Sequence, residues 1–190
     1  MTPKILAFAG SLRADSFNKK LIRVGAEGAR SAGADVTLID LRDYAMPVYD
    51  GDLEAAGMPE VVVKLKTLFA EHHGLLISSP EYNGSIPGPL KNVIDWVSRQ
   101  APGERPLASY ADKVTALLSA SPGAAGGMRA LVHLRASLTH INVLVIPQQL
   151  SVSKAHEAFN PDGSLKDAKQ QASVHNVAKK LVDTIAKLRA

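Results

Sequence analysis

The chain has 190 residues, about one domain's worth, and no cysteine. The missing thiols exclude disulfides, zinc–thiolate sites, iron–sulfur clusters and cysteine nucleophiles. Hydrophobic residues at 46% and charged residues at 21% describe a globular chain, read here as one unit over 1–190. The net charge is +4, and the excess lies in residues 111–190, with 10 cations against 5 acids. Lys166, Lys169, Lys179, Lys180 and Lys187 are spaced like the wet face of a helix, so no nucleic-acid partner is expected. No charged leader with an apolar run opens the chain, and no apolar stretch is long enough for a membrane span. The expectation is a cytoplasmic protein without membrane contact.

In chain order, five short apolar runs come first to notice. They are Ile5–Ala9, Val36–Ile39, Leu75–Ile77, Val114–Leu118 and Val143–Ile146, each closed by Gly, Asp, Ser or Pro. Unbroken runs of this length predict strands buried on both faces, as in parallel sheets. Between and after them lie helical periods. Leu21, Val24, Gly25, Gly28 and Ala32 mark one. Val61, Leu65, Leu68 and Phe69 mark the next, with Pro59 near its first turn. Leu90, Val93, Ile94 and Val97 mark a third, and Leu131, Leu134 and Leu138 a fourth. Val174, Ala178, Leu181, Ile185 and Leu188 mark the last. Residues 41–57 and 147–165 read as irregular. The alternation predicts a doubly wound α/β fold with helices on both faces of a parallel sheet. Five strands fit the flavodoxin-like order 2-1-3-4-5, since the dinucleotide fold usually has six.

In such sheets a ligand sits at the carboxyl ends of the strands, near the switch point. Three turns there carry unusual chemistry. The first, Gly10-Ser11-Leu12-Arg13-Ala14-Asp15-Ser16-Phe17-Asn18, follows a strand and opens a helix. Hydroxyls, a guanidinium and helix N–H groups in one turn make an anion site, most simply for a phosphate. Ser16 is equally a good helix cap. No P-loop and no G-x-G-x-x-G occurs, so Asp40 reads as a turn residue rather than a ribose ligand. The second turn runs from Ser79 to Asn92 and is stiff with Pro and Gly, with Tyr82 as its aromatic face. The third, Ser119 to Gly127, is bare of bulk, so its backbone can approach a flat ligand closely. A phosphate site beside an aromatic loop and a glycine loop fits FMN, and also fits a generic nucleotide. No histidine spacing matches a metal motif, and no metal is expected.

These turns resemble those of the NAD(P)H-dependent FMN reductases of flavodoxin-like fold, a group that includes quinone, azo-dye and chromate reductases. The resemblance is carried by Gly10-Ser11-Leu12-Arg13-x-x-Ser16-x-Asn18, by Ser79-Pro80-Glu81-Tyr82-Asn83-Gly84-Ser85-Ile86-Pro87-Gly88-x-Leu90-Lys91-Asn92-x-Ile94-Asp95-Trp96, and by Ser121-Pro122-Gly123-x-x-Gly126-Gly127. It implies that Ser11, Arg13, Ser16, Phe17 and Asn18 hold the FMN phosphate. Pro80, Glu81, Tyr82, Asn83 and Gly84 would follow the ring and ribityl chain. Ser119, Ser121, Gly123 and Gly127 would approach the pyrimidine end. It also implies NADPH or NADH as co-substrate, a small-molecule electron acceptor, ping-pong hydride transfer with no catalytic side chain, and a homodimer or homotetramer. Ile94 and Trp96 are candidates for the subunit contact or for core packing. The rival is a flavodoxin-type electron carrier. The positive net charge weighs against it, because such carriers often dock through negative patches.

Overall fold

The computed structural model describes residues 1–189. Five strands, β1 (Lys4–Ala9), β2 (Asp35–Ile39), β3 (Gly74–Ser78), β4 (Val114–Ala120) and β5 (Leu144–Val152), form one sheet in the order 2-1-3-4-5, all pairs parallel. The inner strands β3 and β4 are buried throughout, and β1 is buried after Lys4, which is why their sequences do not alternate. The edge strands β2 and β5 mix buried and exposed positions.

Helices α1 (Phe17–Ser31) and α7 (Ala168–Leu188) cover one face. Their stripes of Leu21, Val24, Val174, Leu181 and Ile185 meet Ile5, Ala7, Leu76 and Leu118 from the sheet. Helices α3 (Glu60–Glu71), α4 (Gly88–Val97) and α5 (Met128–His140) cover the other. There Leu65, Phe69, Leu90, Val93, Leu131 and Leu134 pack on Leu6, Phe8, Leu75 and Ile77. Each strand residue thus serves the face its parity selects. The short α2 (Gly51–Ala56) and α6 (Ala155–Ala158) lie in segments expected to be irregular, as does a 3-10 turn at Leu41–Tyr44. Their lengths of six, four and four residues leave no periodicity to read.

Two strand boundaries differ from the expectation. Strand β4 runs on through Ser119 and Ala120, which pair with Ser151 and Val152. Strand β5 does not stop at Pro147. Thr115 faces Val145 and Leu117 faces Gln149, so Ile146, Pro147 and Gln148 bulge opposite Ala116. A bulge on an edge strand is one of the few places where proline costs a sheet no bond. Arg135 fastens the bulge by donating to the Val145 and Ile146 carbonyls at 3.0 and 2.9 Å and to Gln149 at 2.8 Å. The helical stripes also shift slightly: Val62 rather than Val61 is buried, and Leu188 is exposed.

Ile94 and Trp96 belong to the core, not to an exposed face. Trp96 is fully buried, donates its indole N–H to the Pro47 carbonyl at 2.8 Å and meets Tyr49 edge-on. Asn92 donates to the same carbonyl and accepts from the Tyr49 N–H, both at 2.8 Å. The far end of the second motif therefore latches residues 47–49 onto α4.

Candidate functional site at the carboxyl edge of the sheet

Three connections leave the sheet side by side where β1, β3 and β4 end. They enclose a small cleft lined by Ser11, Arg13, Ser16, Phe17, Asn18, Pro80, Glu81, Tyr82, Ala120, Ser121 and Pro122. Nine of these are expected site residues that lie up to 110 positions apart in sequence (Ser11 to Ser121). Folding brings them together because β1 is the strand at which the order reverses.

The first wall is the β1–α1 turn. Ser16 is the N-cap of α1, its hydroxyl accepting from the Asn18 N–H at 3.2 Å. Capping and a place in the cleft are both its roles. Helix α1 is 15 residues long, has no acid in its first turn and presents its positive end to the cleft. Ser11 is buried, and its hydroxyl accepts from the Arg13 N–H at 3.3 Å, which folds the turn back on itself. Arg13 is exposed, and among the described residues its guanidinium makes no hydrogen bond or ion pair. Phe17 stacks on Phe159, centroids 6.2 Å apart and planes 7° from parallel, with the Lys20 ammonium 5.7 Å from its ring. Phe159 lies too far along the chain for any local pattern to suggest it.

The second wall is the β3–α4 loop. Pro80 is buried and starts it. Tyr82 and Ser85 exchange backbone bonds of 3.0 Å around Asn83 and Gly84, whose φ angles are +51° and +77°. Two left-handed residues in a two-residue turn are what Asn-Gly does best. Neither lines the cleft. Their turn instead holds Tyr82 out, 45% exposed, at the rim. The Glu81 carboxylate, with its side chain only 9% exposed, reaches across to α5. It accepts from Arg129 Nε at 2.8 Å and from the Arg129 backbone N–H at 3.2 Å. Next to this clamp, Ser85 bonds His133 at 2.9 Å.

The third wall follows β4. Ser121 and Pro122 face the cleft. The Ser121 hydroxyl accepts from the exposed Gly123 N–H at 3.3 Å, and Gly123 lies outside the lining. Ser119 and Gly127 are buried beneath the wall and do not reach the cleft surface. Ser119 donates to the Ser79 carbonyl at 2.7 Å, tying this wall to the previous one. Asn18 is also spent on neighbours: its carboxamide bonds Ser78 and Ala120.

Other charged groups serve the frame. Asp40 caps the 3-10 turn and pairs with Lys19 at 2.6 Å. Burial alone would raise its carboxyl, but the Lys19 ammonium and Arg42, through its backbone N–H and its charge, together outweigh that and hold it below the usual carboxylate range. His72 is locked between the Leu68 carbonyl and the Thr37 hydroxyl, at 2.6 and 2.8 Å. Among the described residues no group of three or more His, Asp or Glu could hold a metal ion. No helix there is long and apolar enough to cross a membrane.

A phosphate, an aromatic ring and a ribityl chain fit this donor set: one free guanidinium, one long helix N-terminus, one exposed Tyr at the rim. Comparison with known proteins agrees. The NADPH-dependent FMN reductase family profile matches residues 3–157. An NAD(P)H-dependent FMN reductase of Pseudomonas aeruginosa is 34% identical over 98% of this chain and 97% of its own. A quinone reductase of Pseudomonas putida is 34% identical over 86% of this chain and 84% of its own. Among solved structures, the NAD(P)H:(acceptor) oxidoreductase FerB of Paracoccus denitrificans superposes with a TM-score of 0.80 at 31% identity, covering 98% of both chains. On this match and this sheet order, the chain belongs to the NADPH-dependent FMN reductase family and is a flavodoxin-like oxidoreductase.

Proposed function

We propose that the 190-residue chain binds FMN in this cleft as one unit and passes reducing equivalents from NADPH or NADH to quinones or similar acceptors, azo compounds and chromate included, by a ping-pong sequence. The observation that carries the reading is the Arg13 guanidinium, unpaired among the described residues, beside the capped N-terminus of α1, in one cleft with the exposed ring of Tyr82.

FMN, when bound, supplies hydride acceptance and donation, so the protein needs no nucleophile of its own. Arg13 and the first turn of α1 would hold the phosphate by charge-assisted bonds. Phe17 and Pro80 would exclude water from below. Tyr82 would border the ring and leave its open side free. The N–H groups after β4 would face the pyrimidine end, where electrostatic stabilisation favours added negative charge. A side open to water admits one reactant at a time, which supports a shared face and the ping-pong order. Names of relatives such as quinone reductase and 2-hydroxy-1,4-benzoquinone reductase support a quinone as acceptor.

A homodimer or homotetramer is part of this reading. An apolar groove of about 580 Å³ runs beside the cleft between Leu12, Met46, Val48 and α4. Val48 is 81% and Leu12 45% exposed there, and a second copy would cover them next to the flavin. Sedimentation distinguishes these assemblies from a monomer.

Steady-state rates with FMN-loaded protein, varied NADPH or NADH and varied quinone test the function. Parallel double-reciprocal lines are expected. Intersecting lines would sink the ping-pong order, and absence of bound flavin after reconstitution would sink the whole reading.

A further inference from the structure

We infer that Asn18 is the positioning residue of the flavin cradle, acting not on the phosphate but on the spacing of the three walls. The inference rests on the cofactor reading above. A carboxamide offers two acceptor sites on oxygen and two donor hydrogens on nitrogen. Asn18 Oδ1 takes the Ser78 hydroxyl at 2.8 Å and the Ala120 N–H at 2.9 Å. Asn18 Nδ2 gives a hydrogen to the Ala120 carbonyl at 2.8 Å. Both oxygen sites are filled, and the residue is 3% exposed. Three of its four hydrogen-bonding sites are thus committed to protein, with one Nδ2 hydrogen left over, although the residue lines the cleft.

The geometry explains why a carboxamide stands here. Strand β3 pairs with β4 as far as Ser78 opposite Leu118, and the Ser79 N–H to Leu118 carbonyl bond, 2.9 Å, closes that ladder. Strand β4 continues two residues further, to Ala120, with β5 on its other side. Ala120 is left with an N–H and a carbonyl facing the side that β3 has vacated. Asn18 presents a donor and an acceptor to them, as a neighbouring strand's peptide group would. A buried pair of backbone groups without such a partner is costly. The same side chain caps the end of β3 through Ser78, and its own backbone N–H binds the Ser16 cap. One side chain thus fixes the first turn of α1 to the ends of β3 and β4, across sequence separations of 60 and 102 residues.

The test separates a phosphate ligand from a positioning residue by removing the phosphate from the ligand. Full-length chain stripped of flavin is titrated with FMN and with riboflavin, following flavin fluorescence and visible circular dichroism. Asn18→Ala should weaken both ligands by a similar factor, roughly ten- to a hundred-fold for orphaned buried groups, and change the dichroism band of the bound ring. Ser78→Ala should move both in the same direction by less. Arg13→Ala should weaken FMN alone. Loss confined to FMN in Asn18→Ala would make Asn18 a phosphate ligand and overturn the inference. So would unchanged affinities and band shape with only a lower melting temperature. Where Asn18→Ala does not fold, Ser78→Ala decides: unchanged riboflavin binding overturns the inference. Failure of the wild-type chain to bind either flavin is a separate result. It removes the cofactor reading and this inference with it.

Discussion

Gly127 lies directly against Ser119: a β-carbon at Gly127 would overlap the Ser119 hydroxyl oxygen, the same oxygen that donates to the Ser79 carbonyl. Gly127 also has φ +90°, a left-handed conformation, as the N-cap of α5. Bare backbone at this point is what lets the third wall close onto the second. The requirement comes from within the protein, from a buried side chain, not from a ligand at the surface.

Gly127→Ala should therefore cost about 1–3 kcal/mol through overpacking and weaken FMN retention along with stability. Ser119→Gly in the same chain should recover part of the loss by removing the overlapping oxygen. The remaining deficit belongs to the left-handed φ. Urea unfolding of the single and double variants measures both parts.

Arg129→Ala would leave the Glu81 carboxylate beside the cleft without its guanidinium partner. Negative charge there opposes the negative charge that a reduced flavin gains. Flavin reduction by NADPH should slow by roughly ten-fold, the scale of ~1–3 kcal/mol for a group left unpaired. Adding Glu81→Gln should restore most of the rate, because it removes the charge itself. Stopped-flow bleaching of the bound flavin reads this directly. Equal slowing in the double variant would show that the clamp acts by shape alone.

Lys113 gives a pH signature away from the cleft. It is buried at the start of β4 and donates to the His72 carbonyl at 2.7 Å. Burial, helped by Arg189 and Arg105, pushes its ammonium down to about 8 from the ordinary 10.5. Between these values the unfolded chain binds the proton that the folded chain has released. The contribution of this group to stability should therefore rise as pH goes from about 8 to 10.5. The urea midpoint of the wild type should climb over this window relative to that of Lys113→Met.

Trp96→Phe keeps an aromatic ring against Tyr49 but removes the 2.8 Å bond to the Pro47 carbonyl. A loss of about 1 kcal/mol is expected. Because the latch shapes the groove next to the cleft, the variant should also weaken self-association. Thermal melting and sedimentation of one preparation separate the two effects.

The layered architecture was legible because buried parallel strands and amphipathic helices leave strong periodic marks. The carboxyl-edge cleft followed from sheet order alone, and Arg13, Ser16 and Tyr82 could be placed in it from residue type and turn position. The division of labour within the motifs was not legible. Asn18, Ser119 and Gly127 read like ligand contacts, yet each is spent on a partner tens of residues away or on a close packing contact. Asn83 and Gly84 had a local signature, the Asn-Gly turn, that a hairpin reading would have found. Pro147 looked like a strand end because a proline interrupts a ladder, and the bulge that lets an edge strand carry it has no local signature in the sequence.

The bulge at Pro147 has a consequence for how copies of this protein can meet. An open sheet edge offers a row of unpaired groups on which a foreign strand can grow. On β5 the proline offers no N–H, the ladder is broken, and Arg135 already occupies the carbonyls of Val145 and Ile146. On β2, Arg30 does the same for the Val36 carbonyl at 3.0 Å. Neither margin of the sheet therefore offers an unbroken row of free backbone groups, which disfavours runaway strand addition.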